Sequence, residues 1–167
     1  MTNTNKSTSA FQLSNPVHFL ALGFGSGLIK PAPGTWGTLA AVPIYLAITQ
    51  TPLIQLPAFL LLISILFIVG CYLCGKTADD VGVPDHGAIV WDEIVGYLLT
   101  MAFVTPNLVN IIIGFVLFRV FDIIKPWPIK LLDRSVHGGF GIMIDDVLAA
   151  VFAGGLLLIA QPYLPLV

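Results

Sequence analysis

Apolar residues in this chain come in long runs that polar residues interrupt at only a few places. Leu53 to Cys74 (LIQLPAFLLLISILFIVGCYLC) contains no charged residue. A bilayer core about 30 Å thick needs roughly 20 helical residues, so this run predicts a transmembrane helix. Thr38 to Gln50 is apolar but shorter, a tilted span or a re-entrant segment, and Gln50-Thr51-Pro52 is the turn that joins it to the next run. Gly87 to Val104 follows, then the breaker Thr105-Pro106-Asn107, then Leu108 to Phe121, and finally Val147 to Leu164. The pattern predicts an all-α integral membrane bundle with four to five membrane segments, forming one domain over residues 16–167. Residues 1–15 (MTNTNKSTSAFQLSN) are polar and lack an apolar run behind a basic start, so they read as a flexible tail rather than a signal peptide.

Composition strengthens the membrane reading. Apolar residues make up 57 % of the 167 and charged residues 10 %, against about 25 % charged in an ordinary globular protein. The net charge of -2 offers no basic surface for nucleic acid. Loops rich in Lys and Arg stay cytoplasmic. If the first two runs form a hairpin, Lys6, Lys30 and Lys76 fall on one side, and two further crossings return Lys125, Lys130 and Arg134 to it. The opposite loops and the tail QPYLPLV carry no charge. The acids follow the same division: Asp79, Asp80 and Asp85 precede one span, Asp92 and Glu93 lie near its start, Asp122 ends the next, and Asp145 and Asp146 open the last.

A carboxylate inside a span costs roughly 2.5 to 3.5 kcal/mol on insertion scales, so acids there face a polar cavity or a partner. Neighbours on a helix point about 100° apart, so one member of each pair is expected to coordinate a ligand while the other takes a hydrogen bond. The alternative is that these acids are caps and interfacial residues. Carboxylates that converge with few bases between them call for a cation, and hard oxygen ligands suit magnesium, manganese or calcium. Magnesium fits if the substrate is a phosphate.

Three segments bear on a phosphate site. GFGSGLIKPAPGTWGT (Gly23 to Thr38) brings glycines whose N-H groups turn toward an anion, the charge of Lys30, and Thr35 or Thr38 as a helix cap; its alternative is a Gly/Pro turn packed on helices. It is neither a P-loop nor a dinucleotide fingerprint. In FRVFDIIKPWPIK, Arg119 and Asp122 share a helix face and Lys125-Pro126 ends the helix, so Arg119 either clamps a phosphate or neutralises an acid. HGGFGIMIDD reads as a glycine turn that delivers Asp145 and Asp146 to a helix start. Cys71 and Cys74 lie in an apolar span and read as packing residues. His18, His86 and His137 are scattered, with a general-acid role open for the last two, and Trp36, Trp91 and Trp127 suit an interfacial belt.

Together, GFGSGLIKPAPGTWGTLAA, the block around AIVWDEIVG, FRVFDIIKPWPI and GGFGIMIDDVLA resemble the phosphatidylglycerophosphatase A family of bacterial membrane lipid phosphatases, over nearly all of Gly23 to Ala150. The resemblance implies an all-helical fold, magnesium dependence, and removal of the terminal phosphate of phosphatidylglycerol phosphate to give phosphatidylglycerol. It also implies the bacterial inner membrane, with the site on the cytoplasmic face. On that reading Asp92, Glu93 and Asp146 are the catalytic carboxylates, and these three with Asp122 and Asp145 hold the metal. Gly25, Lys30, Gly34, Thr35, Thr38, Arg119 and Lys125 bind the substrate phosphate. Motifs of cysteine phosphatases (C-x5-R), haloacid-dehalogenase phosphatases (D-x-D-x-[TV]) and CDP-alcohol phosphotransferases are absent. The rival class is a small transporter or ion-binding membrane protein, which also places acids in spans.

Overall fold

Local chemistry sets each helix. In the computed structural model, which describes residues 11–164, Asn15 Oδ1 accepts the Val17 N-H at 3.0 Å and so opens α1, Pro16–Ala21. A short 3-10 turn, Gly23–Leu28, leads to α2, Pro33–Thr49, and then α3, Leu56–Val81, stops at Gly82, whose φ of 74° is left-handed. The α4 helix covers Trp91–Thr100. After the Thr105-Pro106-Asn107 break, Asn107 Oδ1 caps α5, Leu108–Ile124, by accepting the Asn110 N-H at 2.8 Å. Lys125, in the left-handed region, ends α5 as expected; α6, Ile129–Ser135, and α7, Gly138–Ala160, complete the chain. Among the described residues there is no strand. Residues 1–10 of the expected tail, with Lys6, lie outside the described residues, as do 165–167 at the end of QPYLPLV and the side chains of 132–134, including Arg134.

Two boundaries differ from the sequence expectation and both move the acids. Residues 87–90 are not helical, so Asp92 and Glu93 occupy the first turn of α4. The glycine-rich stretch expected to be a turn is helix instead, which puts Asp145 and Asp146 about two turns inside α7. Packing explains the second difference. A Cβ on Gly139 would lie 1.7 Å from the Cys71 carbonyl oxygen, so the glycines bring α7 against α3 rather than break it.

The α7 helix packs against α3, α4 and α5, and the core they share includes Tyr45, Phe59, Tyr97, Phe118 and Leu157, all fully buried. Trp91, expected in an interfacial belt, is buried in this core and donates its indole N-H to the Leu66 carbonyl, whereas Trp36 and Trp127 are exposed. Outward faces are apolar: Leu61, Ile65, Ile68 and Tyr72 form a stripe along α3, and Leu108, Ile112, Val116, Val120 and Ile123 form one along α5. Two helices, Leu56–Val81 and the one beginning at Gly138, are long and apolar enough to cross a membrane. At one end of the bundle Asn110 and Gln161 exchange side-chain hydrogen bonds, joining the start of α5 to the end of α7. At the other end meet the acids of α4 and α7 and the charged residues at the end of α5.

Candidate metal-binding active site

The acid cluster draws its charged side chains from three helices, α4, α5 and α7. Val90, whose N-H donates to the Ala21 carbonyl at 2.9 Å, leads into α4 and aims Asp92 and Glu93 at α7. Asp146 comes to meet them. One oxygen from each of Asp92, Glu93 and Asp146 lies within 4.8 Å of the others. Although neighbours on the helix, Asp92 and Glu93 each bring one oxygen to this point.

These carboxylates are buried at a cost. Asp92 Oδ1, Glu93 Oε2 and Asp146 Oδ2 are all inaccessible to solvent and have no hydrogen-bond partner. A buried, unsatisfied anionic oxygen is among the more expensive features a fold can hold, and carboxylates clustered this closely repel each other as well. A hard divalent cation relieves both penalties, and the all-oxygen donor set fits magnesium, manganese or calcium.

Arg119 borders the trio from α5. Its Nη1 lies 2.5 Å from Asp122 Oδ2, 3.7 Å from Glu93 Oε1 and 3.4 Å from Thr38 Oγ1. Gly34 of α2 packs against the same group. The structure thus brings together Asp92, Glu93, Asp146, Asp122, Arg119, Thr38 and Gly34, drawn from four helices.

The remaining predicted residues are placed elsewhere. Asp145, rotated about 100° from Asp146 on the helix, pairs with Lys125 and lines an adjoining cavity of about 410 Å³. Asp79, Asp85, His137 and the Gly138-Gly139 backbone also line that cavity. Lys30 is exposed, Gly25 donates its N-H to Leu22, and Thr35 donates its own to Ala32; among the described residues no hydrogen bond or ion pair ties these three to the trio. Neither threonine caps α2. Ala32 holds the cap position without a side-chain hydrogen bond, and Thr38 lies inside the helix with its hydroxyl donating to the Gly34 carbonyl at 2.9 Å.

One polar group escaped the sequence reading. Buried His18 accepts the Gln12 N-H at Nδ1, which assigns the hydrogen to Nε2, and Nε2 meets Asp80 Oδ2 at 3.2 Å. Asp80 also pairs with Lys76. The separation of 62 positions between His18 and Asp80 gave no local signal for this contact. Cys74 is buried with its Sγ 3.8 Å from Met143 Sδ, in line with a packing role.

Comparison with known proteins identifies the family. The family model described as phosphatidylglycerophosphatase A matches residues 19–161. A phosphatidylglycerophosphatase A from Haemophilus influenzae is 51 % identical over 151 residues, covering 89 % of this chain and 91 % of its own. One from Escherichia coli is 48 % identical over 159 residues, covering 95 % and 91 %. A provisionally named phosphatidylinositol-3-phosphatase from Bacteroides thetaiotaomicron is 34 % identical over 149 residues, covering 85 % and 91 %. No solved structure matches. The matched region contains every residue of the carboxylate trio and its Arg119 neighbour, and on this match the chain belongs to the phosphatidylglycerophosphatase A family.

Proposed function

We propose that this protein hydrolyses the terminal phosphomonoester of phosphatidylglycerol phosphate, releasing inorganic phosphate and phosphatidylglycerol, with magnesium as cofactor. The observation that carries the reading is the set of three buried, partnerless carboxylate oxygens from Asp92, Glu93 and Asp146. The names of the two relatives near 50 % identity support the lipid substrate.

Asp92, Glu93 and Asp146 would hold the cation, with Asp122 as an adjoining carboxylate steadied by Arg119. When bound, magnesium supplies the positive charge that lets a phosphate dianion approach a cluster of acids. The chain's own residues do the rest. Arg119 presents its guanidinium beside the trio, where it can shift from Glu93 toward an equatorial phosphate oxygen. A trio carboxylate orients the attacking water in line with the ester oxygen and takes its proton as the new P–O bond forms. The P–O bond to the glycerol breaks, and its oxygen leaves as the alcohol with the proton that the carboxylate had accepted from the water. The neighbouring cavity bounded by Asp79, Asp85, His137 and Asp145 gives the headgroup room beside the reacting phosphate.

The membrane setting belongs to the same proposal. Four to five segments cross or enter the bacterial inner membrane, and the charged end faces the cytoplasm, where Lys-rich loops remain. The apolar outward stripe on the 17-residue α5 supports a span beyond the two longest helices.

The test is phosphate release from phosphatidylglycerol phosphate in mixed micelles by purified protein, with magnesium, with chelator, and with a folded Asp92→Asn variant. Release that needs metal and disappears in the variant supports the reading. Folded wild type that releases no phosphate with any divalent metal overturns it. Phosphatidylinositol 3-phosphate as a second substrate separates headgroup selectivity from general action on lipid phosphomonoesters.

A further inference from the structure

Gly34 lies in the first turn of α2, buried, where that helix meets the acidic end of α4. A Cβ built there would sit 2.2 Å from Glu93 Oε1 and 3.0 Å from both Arg119 Nη1 and Nη2. Its backbone is ordinary helix, so conformational freedom is not why a side chain is missing. Space is the reason. Glu93 Oε1 fills the volume that a methyl group would occupy and from there reaches Arg119 Nη1 at 3.7 Å. The other oxygen, Oε2, is buried and without a partner. The two oxygens of one carboxylate therefore have different surroundings, one against glycine and guanidinium, the other buried without a partner. The same turn of α2 is tied to Arg119 a second time, because Thr38 donates to the Gly34 carbonyl and stands 3.4 Å from Nη1.

We infer that Gly34 is a positioning residue for the acid cluster: its bare Cα sets the depth at which the Glu93 carboxylate sits against Arg119, and so leaves Oε2 open for a cation. This role differs from direct contact with the substrate phosphate. It rests on the phosphatase reading only for its kinetic readout.

The experiment compares wild type, Gly34→Ala, Glu93→Asp, Gly34→Ala/Glu93→Asp and Gly155→Ala. Gly155 is an exposed helical glycine with open space around its Cα. Each purified protein is measured for thermal unfolding, for Mn2+ affinity by electron paramagnetic resonance, and for kcat and KM on phosphatidylglycerol phosphate. Gly34→Ala is expected to lose about tenfold or more in kcat with KM within about twofold, the pattern of misplaced reacting groups, and to bind Mn2+ more weakly. Gly155→Ala should match wild type. The double variant should exceed the product of the two single effects, because the shorter Asp vacates the space the methyl group takes.

Gly34→Ala that keeps both kcat and Mn2+ affinity overturns the inference. If Gly34→Ala does not fold, the double variant decides: restored folding locates the conflict at Glu93, and continued misfolding makes Gly34 a helix-packing residue and sinks the idea. Wild type that binds Mn2+ but releases no phosphate overturns the phosphatase reading alone, and the Mn2+ comparison still judges Gly34. Wild type that neither binds Mn2+ nor releases phosphate overturns both.

Discussion

Lys125, the residue at which α5 stops, places its ammonium group against Asp145 Oδ2 of α7. The Asp145 side chain is only 8 % exposed while that of Lys125 is 25 % exposed, so the carboxylate is the more desolvated member of the pair. Breaking a fully buried pair costs roughly 3 to 5 kcal/mol, and the partial exposure of Lys125 lowers that to about 2 kcal/mol for Lys125→Met. Thermal unfolding in detergent with chelator present checks this. The expected result is a lower midpoint for Lys125→Met and partial recovery in Lys125→Met/Asp145→Asn, where the charges of both members of the pair are removed. An unchanged midpoint in the single variant would show that the pair does not hold α5 to α7.

Asp146→Asn should trade function for stability. In metal-free protein the three clustered carboxylates repel, and replacing one with an amide removes charge without changing shape. The expected outcome with chelator is an unfolding midpoint above that of wild type by a shift of about 1 kcal/mol or more, together with phosphate release reduced about 1000-fold. Adding magnesium should raise the wild-type midpoint by mass action and leave the variant nearly unmoved. A wild type that magnesium does not stabilise would separate these acids from metal binding.

Much of this was legible along the chain, for identifiable reasons. The uncharged run behind α3, the breaker before Asn107 and the stop at Lys125-Pro126 are local signals, and the helices follow them. Asp92, Glu93 and Asp146 stood out because acids in apolar runs need an explanation. What a one-dimensional pattern hides is rotation around a helix and contact across the fold. Asp145 and Asp146 look equivalent in sequence, yet one faces the trio and the other faces Lys125. Gly139 looks like a hinge, because nothing local announces that the Cys71 carbonyl will lie against it. His18 and Asp80 gave no sign of each other for the same reason.

The α3–α7 contact yields a prediction of its own. At Gly139 a methyl group would meet backbone on α3, which no rotamer change can relieve, and it would approach the Cys71 carbonyl to 1.7 Å. Gly139→Ala should therefore destabilise by about 2 kcal/mol or more, as overpacking does. On α7 as well, Gly155→Ala should be neutral or slightly stabilising, since alanine favours helix by up to about 1 kcal/mol. Size-exclusion profiles and unfolding midpoints of the two variants in the same detergent check the contrast. Equal behaviour would mean that α3 and α7 separate easily, against the close approach described here.

Whether α5 crosses the membrane can be decided by where its two ends react. Pro106 precedes the helix and Trp127 follows it; both are exposed, and Trp127 is 79 % accessible. The 17 residues of α5 extend about 26 Å at 1.5 Å per residue, close to a bilayer core of about 30 Å. In a background where Cys71 and Cys74 are replaced by alanine, Pro106→Cys and Trp127→Cys are treated with a membrane-impermeant maleimide on intact cells and on inverted vesicles. If α5 spans, Pro106→Cys labels from outside and Trp127→Cys only in inverted vesicles, on the same face as the acid cluster. If α3 and α7 alone cross, both positions fall between the two spans and label from one side. The apolar stripe from Leu108 to Ile123 favours the first outcome, because in the second it would have to lie against water or along the membrane surface.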